Sequence, residues 1–115
     1  MSIPVSLPEL PEQVARFGSN PYLVTVAADS TPHATSVAVA WDEGVLKAGC
    51  GRQTAANIRQ NDTVALLWPA ASPGQHALIV DGWADVQGRP EVGLVVVIQP
   101  SKAILHITTR PLQTG

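Results

Sequence analysis

From Tyr22 onward, apolar residues recur in short runs that are separated by turn residues about every 8 to 12 positions, the spacing of small antiparallel β-proteins. The first run ends at an Asp-Ser-Thr-Pro turn and the second at an Asp-Glu-Gly turn. Proline cannot extend a β-ladder of hydrogen bonds, and glycine is common in hairpin turns. The pattern predicts six or seven strands, and the candidate runs are YLVTVAAD (22–29), HATSVAVAW (33–41), VLKAG (45–49), TVALLWP (63–69), HALIVDGWADV (76–86), GLVVVIQ (93–99) and AILHITT (103–109).

Two short segments have helical rather than alternating periodicity. In PELPEQVARFG (8–18) an apolar stripe of Leu10, Val14 and Phe17 is followed by Gly18, a common helix terminator. We expect this helix to pack as a lid over one end of the sheet. A second short helix is predicted between the third and fourth strands, from Arg52 to Ile58. The proline-rich residues before the first helix are expected to be extended.

The density of apolar residues indicates that more than one chain copy buries this surface. Apolar residues make up 45% of the 115 residues and charged residues only 14%, which is low for a small monomer. The runs VALLW and GLVVVI are apolar at nearly every position, as in strands buried on both faces. We therefore predict one domain spanning residues 1–115, a mainly β, six- to seven-stranded antiparallel barrel with two short helices that forms a homodimer.

Charge and cysteine content exclude several classes of function. The net charge is −2, and the seven basic residues are scattered, whereas nucleic-acid binding requires a clustered basic face. No apolar run approaches the roughly 20 residues of a membrane-spanning helix, and no signal peptide is evident. A single cysteine excludes an internal disulfide and suits a reducing compartment. We expect a cytoplasmic protein that binds neither nucleic acid nor membrane.

The sequence contains no recognisable catalytic constellation, so no catalytic residue is named. Asp81 and Asp85 fall in a predicted strand, where a spacing of four does not make them neighbours. Cys50 lies close to Arg52, but no partner base is identifiable and a packing role is favoured. The histidines have no second ligand at metal spacing, so structural roles are expected and no metal is predicted; they are His33, His76 and His106.

The stretch GCGRQTAANIRQND (49–62) is the best candidate for a binding site. Gly49 and Gly51 permit a positive φ or a close backbone approach, and the helix that follows would present free amides to an anion. Arg52 would add a bidentate donor and Thr54 a hydroxyl. The alternative is that Thr54 only caps the helix and Arg52 is a solvated surface charge.

The order of elements and several motifs resemble the pyridoxamine 5'-phosphate oxidase-like superfamily, the flavin-binding split barrels. The marks are Ala-x-Asp-x-x-Pro-His (27–33), Trp-Asp-x-Gly (41–44), the glycine-rich turn and helix, and Asn-Asp-x-Val-Ala-Leu-Leu-Trp-Pro (61–69). The resemblance covers roughly residues 10 to 108 and is nearest to small actinobacterial-type members of unassigned substrate.

This resemblance implies that the six- to seven-stranded antiparallel barrel is a split barrel, and that it forms a homodimer that binds FMN or the deazaflavin F420 in a groove between subunits, with FMN slightly preferred. The cofactor phosphate would lie at the turn after the third strand and the ring along residues 35–39. Trp68 from the neighbouring subunit would flank the ring, although core packing is the favoured role for Trp68. The implied cofactor-binding residues are Thr35, Ser36, Val37, Gly49, Cys50, Gly51, Arg52, Gln53, Thr54, Asn57 and Trp68.

The sequence departs from the oxidase pattern in its basic residues. The oxidase has a Ser-Arg-Lys run at this turn, where the present chain has Arg52-Gln53-Thr54, and its two basic second-strand positions match Ala34 and Val39. Of four expected basic groups only Arg52 remains. Hydroxyls and backbone amides would compensate in part, and the C-terminal substrate-binding residues of the oxidase have no match, so pyridoxamine phosphate oxidation is disfavoured.

Three functions remain open from the sequence. The first is an FMN- or F420-dependent oxidoreductase that transfers a hydride to or from a small substrate that is not assigned. The second is a non-catalytic module that binds a flavin, F420 or another planar ligand such as a tetrapyrrole. The third is a structural dimer that has lost its cofactor site.

Overall fold

The computed structural model describes residues 2–107, which form eight strands and two α-helices. The strands are β1 (Ser2–Val5), β2 (Tyr22–Val26), β3 (Pro32–Ser36), β4 (Val39–Asp42), β5 (Val45–Cys50), β6 (Thr63–Trp68), β7 (His76–Arg89) and β8 (Gly93–Ile107). The helices are α1 (Leu10–Phe17), preceded by a 3₁₀ turn (Leu7–Glu9), and α2 (Arg52–Gln60). No helix in the described range is long and apolar enough to cross a membrane.

All the strand pairs are antiparallel, and the sheet curls into a barrel because its two end strands are consecutive in sequence. The sheet order is β3-β2-β6-β7-β8-β5-β4, with β1 paired to β8 outside this path. Only Val37 and Ala38 separate β3 from β4. A link of two residues spans at most about 11 Å between its neighbours, so the ends of the sheet must meet. The prediction of a mainly antiparallel β-structure with two short helices is confirmed.

The predicted run HATSVAVAW is two strands rather than one, for a reason that lies in its backbone hydrogen bonds. The amide of Val37 donates to the carbonyl of Pro21 at 3.0 Å, and the amide of Val39 donates to that of Ser19 at 2.8 Å. Both bonds lie in the register of the β2–β3 ladder, in which Tyr22 pairs with Ser36, but Pro21 has no N–H with which to return a bond. The regular ladder therefore ends at Ser36, and from Val39 onward the chain pairs with β5. The chain leaves β3 at this point and crosses to the other end of the sheet.

Two further strand predictions differ from the structure at β8 and β1. The runs GLVVVIQ and AILHITT form the single strand β8, which continues through Pro100 at a register shift opposite Asp81 and Gly82. The Ser101 hydroxyl donates to the Asp81 carbonyl at 3.1 Å across this irregularity. The extended N-terminal segment forms β1 on the second half of β8, which raises the strand count to eight. Residues 108 and 109 of the last predicted run lie outside the described residues.

The barrel interior is filled by alternate residues of the strands and closed at one end by α1. Leu23, Leu46, Leu66 and Leu78 are completely buried, as are Leu10 and, nearly so, Val14 on the apolar stripe of α1. The lid role expected for this helix is consistent with that burial, since Leu10 and Val14 belong to the same apolar cluster as the strand residues.

We expect Gly82→Ala to lower the free energy of unfolding by about 1–3 kcal/mol through overpacking. A Cβ at Gly82 would lie 2.5 Å from the Gln99 carbonyl oxygen and 3.2 Å from Cγ2 of Ile98, so backbone must move at the β7–β8 irregularity. Urea unfolding at one fixed protein concentration measures the change. Gly49→Ala is the matched control, because its Cβ would meet nothing closer than 4.0 Å. Equal stability of the two variants would contradict this account.

Candidate functional site

Helix α2 begins directly after β5 with an uncapped N-terminus. Gly51 is the N-cap, with an extended backbone at φ −85° and ψ 176°, and its carbonyl accepts the Ala55 amide at 3.1 Å. Because glycine has no side chain, the N-cap residue itself offers no acceptor to the first amides of the helix. The alternative in which Thr54 caps the helix is not what the structure shows. Thr54 is the third helical residue and is 3% exposed.

This N-terminus opens into a groove of about 550 Å³ at the place where the barrel is closed. The end of β3, the end of β5 and the first turn of α2 form its walls. Nine of the eleven residues implied by the resemblance line it, together with His33; they are Thr35, Ser36, Val37, Gly49, Cys50, Gly51, Arg52, Gln53 and Thr54. Segments that are distant in sequence therefore meet at one surface, as the resemblance implies.

The two glycines serve this groove by their lack of a side chain rather than by a positive φ. Neither Gly49 nor Gly51 has φ in the left-handed region. A Cβ at Gly51 would meet no atom within 4 Å, and one at Gly49 would only touch the Leu94 carbonyl at 4.0 Å. The space in front of both residues is open. Their backbone is thus accessible to a bound group, which is the close-approach role of glycine.

A hydrogen-bonded chain of three polar side chains lies behind the groove. The Gln53 side-chain amide donates to Oδ1 of Asn57 at 2.8 Å, and Nδ2 of Asn57 donates to the Thr25 hydroxyl at 3.1 Å. Asn57 is 2% exposed and Thr25 1% exposed, so both are anchored in the interior. Asn57, the tenth predicted residue, does not line the groove. It lines an adjoining cavity of about 260 Å³ instead.

His33 is a site residue that sequence reasoning missed. It was assigned a structural role because no metal partner lies near it, but it lines both the groove and the adjoining cavity. His33 pairs with Thr25 across β2 and β3, and Thr35 pairs with Leu23. Alternate residues of β3 therefore face the site. That alternation is visible in the sequence and would have placed His33 beside Thr35.

Trp68 does not contribute to this groove. It is 2% exposed, and its indole Nε1 donates to the Gly18 carbonyl at 2.8 Å, which ties β6 to the end of α1. A buried indole of this kind packs the core and satisfies its own donor. The structure therefore favours core packing, the alternative to a cofactor contact, for Trp68.

The electrostatics of the site come from few groups. Burial raises the pKa of the Cys50 thiol above its ordinary value, and the nearby positive charge of Arg59 only partly opposes this. A protonated thiol is a poor nucleophile, so Cys50 does not provide a reactive thiolate at neutral pH. In the adjoining cavity, hydrogen bonds from Thr31 lower the pKa of the exposed Asp29 carboxyl. Arg52 is an exposed cation on the groove.

Two other cavities lie elsewhere on the barrel. One of about 350 Å³ lies beside α1 and is lined in part by Arg16, Phe17 and His76. The other, of about 440 Å³, is mainly apolar and includes Trp41, whose Nε1 is buried without an acceptor within the described range. Neither contains a residue that the sequence singled out for binding. Within residues 2–107, no three His, Cys, Asp or Glu side chains cluster closely enough to hold a metal ion.

Comparisons with known proteins support the fold at low sequence identity. No protein-family model matches the sequence, and no curated protein matches it. A pyridoxamine 5'-phosphate oxidase-like protein of Listeria innocua is similar in structure, with a TM-score of 0.69, 19% identity and coverage of 87% of this chain and 98% of that one. The fold is that of the pyridoxamine 5'-phosphate oxidase-like split barrels.

Two further solved structures show what other proteins this split barrel resembles. An F420 reductase matches with a TM-score of 0.61 and 22% identity over 74% of this chain and 88% of its own. The heme storage protein HutZ of Vibrio cholerae matches with a TM-score of 0.65 and 14% identity over 87% of this chain and 94% of its own. The same barrel thus occurs in proteins named for different ligands, so the fold alone does not identify the ligand of this chain.

We expect alkylation of Cys50 by iodoacetamide to be slow at pH 7 and to reach half its maximal rate at a higher pH than in the urea-unfolded chain. The reason is that burial favours the neutral thiol, and only the thiolate reacts. Arg59→Ala removes the opposing charge and should move the midpoint further upward. Mass spectrometry across a pH series gives the rates. A midpoint below that of the unfolded chain would contradict the assignment.

Proposed function

We propose that the chain is a member of the pyridoxamine 5'-phosphate oxidase-like family and that its groove binds the phosphate of FMN or F420. The observation that carries this proposal is the uncapped start of α2, which opens into a groove lined by Arg52 and by the β3 residues that the resemblance implies. Free amides at a helix N-terminus form a binding site for a phosphate group. Binding of FMN is the slightly preferred case.

The residues at the groove fit a phosphate through mostly neutral donors. The amides of Arg52, Gln53 and Thr54 begin the helix, and the Arg52 guanidinium supplies a charged fork. Thr35 and Ser36, which both carry hydroxyls, line the same groove. A hydrogen bond to a charged group contributes about 1.5–3 kcal/mol. The groove has one charged donor, Arg52, where the oxidase pattern has four basic groups. We therefore expect it to bind a phosphate more weakly than the oxidase does.

A flavin or deazaflavin held here would supply hydride chemistry, which belongs to the cofactor. The chain itself would bind the phosphate, orient the ring along residues 35–39, and restrict water around it. Cys50 keeps its proton at neutral pH and is not assigned as a nucleophile. We propose an oxidoreductase whose substrate is not assigned, with no catalytic residue named.

A non-catalytic binding module for a planar ligand is the second candidate. It is favoured by the single cation on the groove and by the similarity to a structure named as a heme storage protein. The two candidates differ in turnover. Oxidation of the reduced, bound cofactor by added organic acceptors, faster than for free cofactor, supports the enzyme; an unchanged rate supports the binding module.

We also propose that the outer face of the barrel associates with a second copy of the chain. Half-buried apolar residues of four neighbouring strands share this face; they are Val24, Ala65, Leu67, Ile79, Val95 and Val97. On the same face Tyr22 is 45% exposed and Trp83 55% exposed. Asp81, Asp85 and Lys102 also lie on this face, so its continuous apolar part is the patch around Tyr22, Leu67 and Ile79. Such a patch, in a chain with 14% charged residues, is typical of the centre of a homodimer interface.

We expect Arg52→Ala to weaken binding of FMN or F420 by about 10- to 100-fold, the loss of one charged hydrogen-bond donor. Fluorescence titration of the purified protein with each cofactor measures the dissociation constant. Arg16→Ala, on α1 and outside the groove, is the control and should bind normally. If the wild-type protein binds neither cofactor at high concentration, both cofactor proposals fail and the structural-dimer alternative is supported.

We expect sedimentation equilibrium to give a dimer for the wild-type chain and a monomer for Leu67→Lys. The cross-strand neighbours of Leu67 are Tyr22 and Ile79, so a charge placed there would be desolvated in the interface without a partner charge. Val92→Lys is the matched control, since Val92 is 83% exposed in the β7–β8 turn and lies off this face. A wild-type monomer at micromolar concentration would overturn the dimer proposal.

A further inference from the structure

Thr54 carries a buried hydroxyl that has no hydrogen-bond partner within residues 2–107. The residue is 3% exposed and lines the groove. In the same range, Nε1 of Trp41 is the one buried side-chain polar atom that is both unpaired and sealed from solvent. The Thr54 hydroxyl is therefore unpaired but open, and the opening beside it is the groove. Because unpaired buried polar groups are rare, this hydroxyl points to a ligand in the groove independently of the helix amides.

Gln53 is an exposed residue of the groove whose side chain is anchored to the interior. Its Nε2 donates to Oδ1 of Asn57 at 2.8 Å, and Nδ2 of Asn57 donates to the Thr25 hydroxyl at 3.1 Å. Asn57 is 2% exposed and Thr25 1% exposed, so both anchoring residues are fixed by the packing around them. After this bond, Gln53 retains one N–H donor and its carbonyl oxygen for a ligand.

Asn57 and Thr25 do not line the groove, and the hydrogen bonds connect them to it through Gln53. A glutamine without such an anchor moves freely in solvent and must be ordered when a ligand binds. Ordering one long side chain weakens binding by about 2- to 10-fold. The chain of three residues removes this cost, because Gln53 is already held in the ligand-free protein.

We propose that Asn57 is a positioning residue of the phosphate site: anchored on Thr25, it holds Gln53 so that the Gln53 side-chain amide and the Thr54 hydroxyl donate together to the phosphate. This inference rests on the proposed function, since it concerns the same phosphate. It gives Asn57, which the resemblance implies to be a cofactor contact, a role that acts through Gln53. Two neutral side-chain donors thereby supplement the charged fork of Arg52.

A double-mutant cycle between Asn57 and Gln53 tests the positioning role. The cofactor that binds more tightly to the wild-type chain, FMN or F420, is titrated by its fluorescence into the wild-type chain, the two single alanine variants and the double variant. We expect Gln53→Ala to weaken binding by about 10-fold, the loss of one donor to a charged group, and Asn57→Ala to weaken it by about 2- to 10-fold. In the Gln53→Ala background, Asn57→Ala should have no further effect, because the side chain that it positions is gone. Ile58→Ala, at a neighbouring buried position outside the hydrogen-bonded chain, is the control for lost packing and should leave the dissociation constant unchanged in both backgrounds.

Paired substitutions at Thr25 and Thr54 separate the effect of each hydroxyl from that of side-chain shape. Thr25→Val keeps the shape but removes the acceptor of Asn57, and we expect it to weaken cofactor binding by about 2- to 10-fold although Thr25 lies outside the groove. Thr54→Val should weaken binding by about 10-fold through loss of its donor. Thr25→Ser and Thr54→Ser retain the hydroxyls and should bind the cofactor as the wild-type chain does.

The outcomes separate this inference from the proposed function. If the wild-type chain binds a cofactor but Asn57→Ala weakens binding equally with and without Gln53, Asn57 has only a structural role, and the inference is wrong while the phosphate site stands. Equal binding by Thr25→Val and Thr25→Ser would lead to the same conclusion. If the wild-type chain binds neither FMN nor F420, the proposed function fails and this inference fails with it.

Discussion

The structure depends on the short connection between the two end strands of its sheet. β3 and β4 lie at opposite ends of the sheet order, yet only Val37 and Ala38 join them. The sheet must therefore curl until its ends meet. At this connection the amide of Val37 donates to the carbonyl of Pro21, and the amide of Val39 donates to the carbonyl of Ser19. Beside this junction, the end of β3, the end of β5 and the start of α2 line one groove. The groove is a consequence of how the barrel closes.

The sequence was sufficient to predict the strands whose side chains alternate and both helices. Each of these elements buries one face against the same core, so its apolar residues recur with the period of a strand or a helix. The sequence did not predict that β1 is a strand, that β8 continues through Pro100, or that β3 and β4 are separate strands. In each case the deciding bonds are made to distant segments: to β8 for β1, to the Asp81 carbonyl at the irregularity, and to the carbonyls of Ser19 and Pro21.

The candidate site was predictable for similar reasons, and only in part. The resemblance identified nine of the residues that line the groove, since these lie near recognisable turns. It did not include His33, which the alternation along β3 would have placed beside Thr35. It named Gln53 and Asn57 but could not predict the hydrogen bonds that link them to Thr25, because the last of these joins residues 32 positions apart. The result is a groove lined by one exposed cation, Arg52, and several neutral polar residues.

The position of the phosphate is the central claim, and backbone-amide NMR tests it most directly. In a ¹H–¹⁵N titration we expect FMN to shift the amides of Arg52, Gln53 and Thr54 strongly, and riboflavin, which lacks the phosphate, to leave them nearly unchanged. Equal shifts with riboflavin, or FMN shifts confined to the cavity beside α1 at Arg16 and Phe17, would contradict a phosphate site at the start of α2.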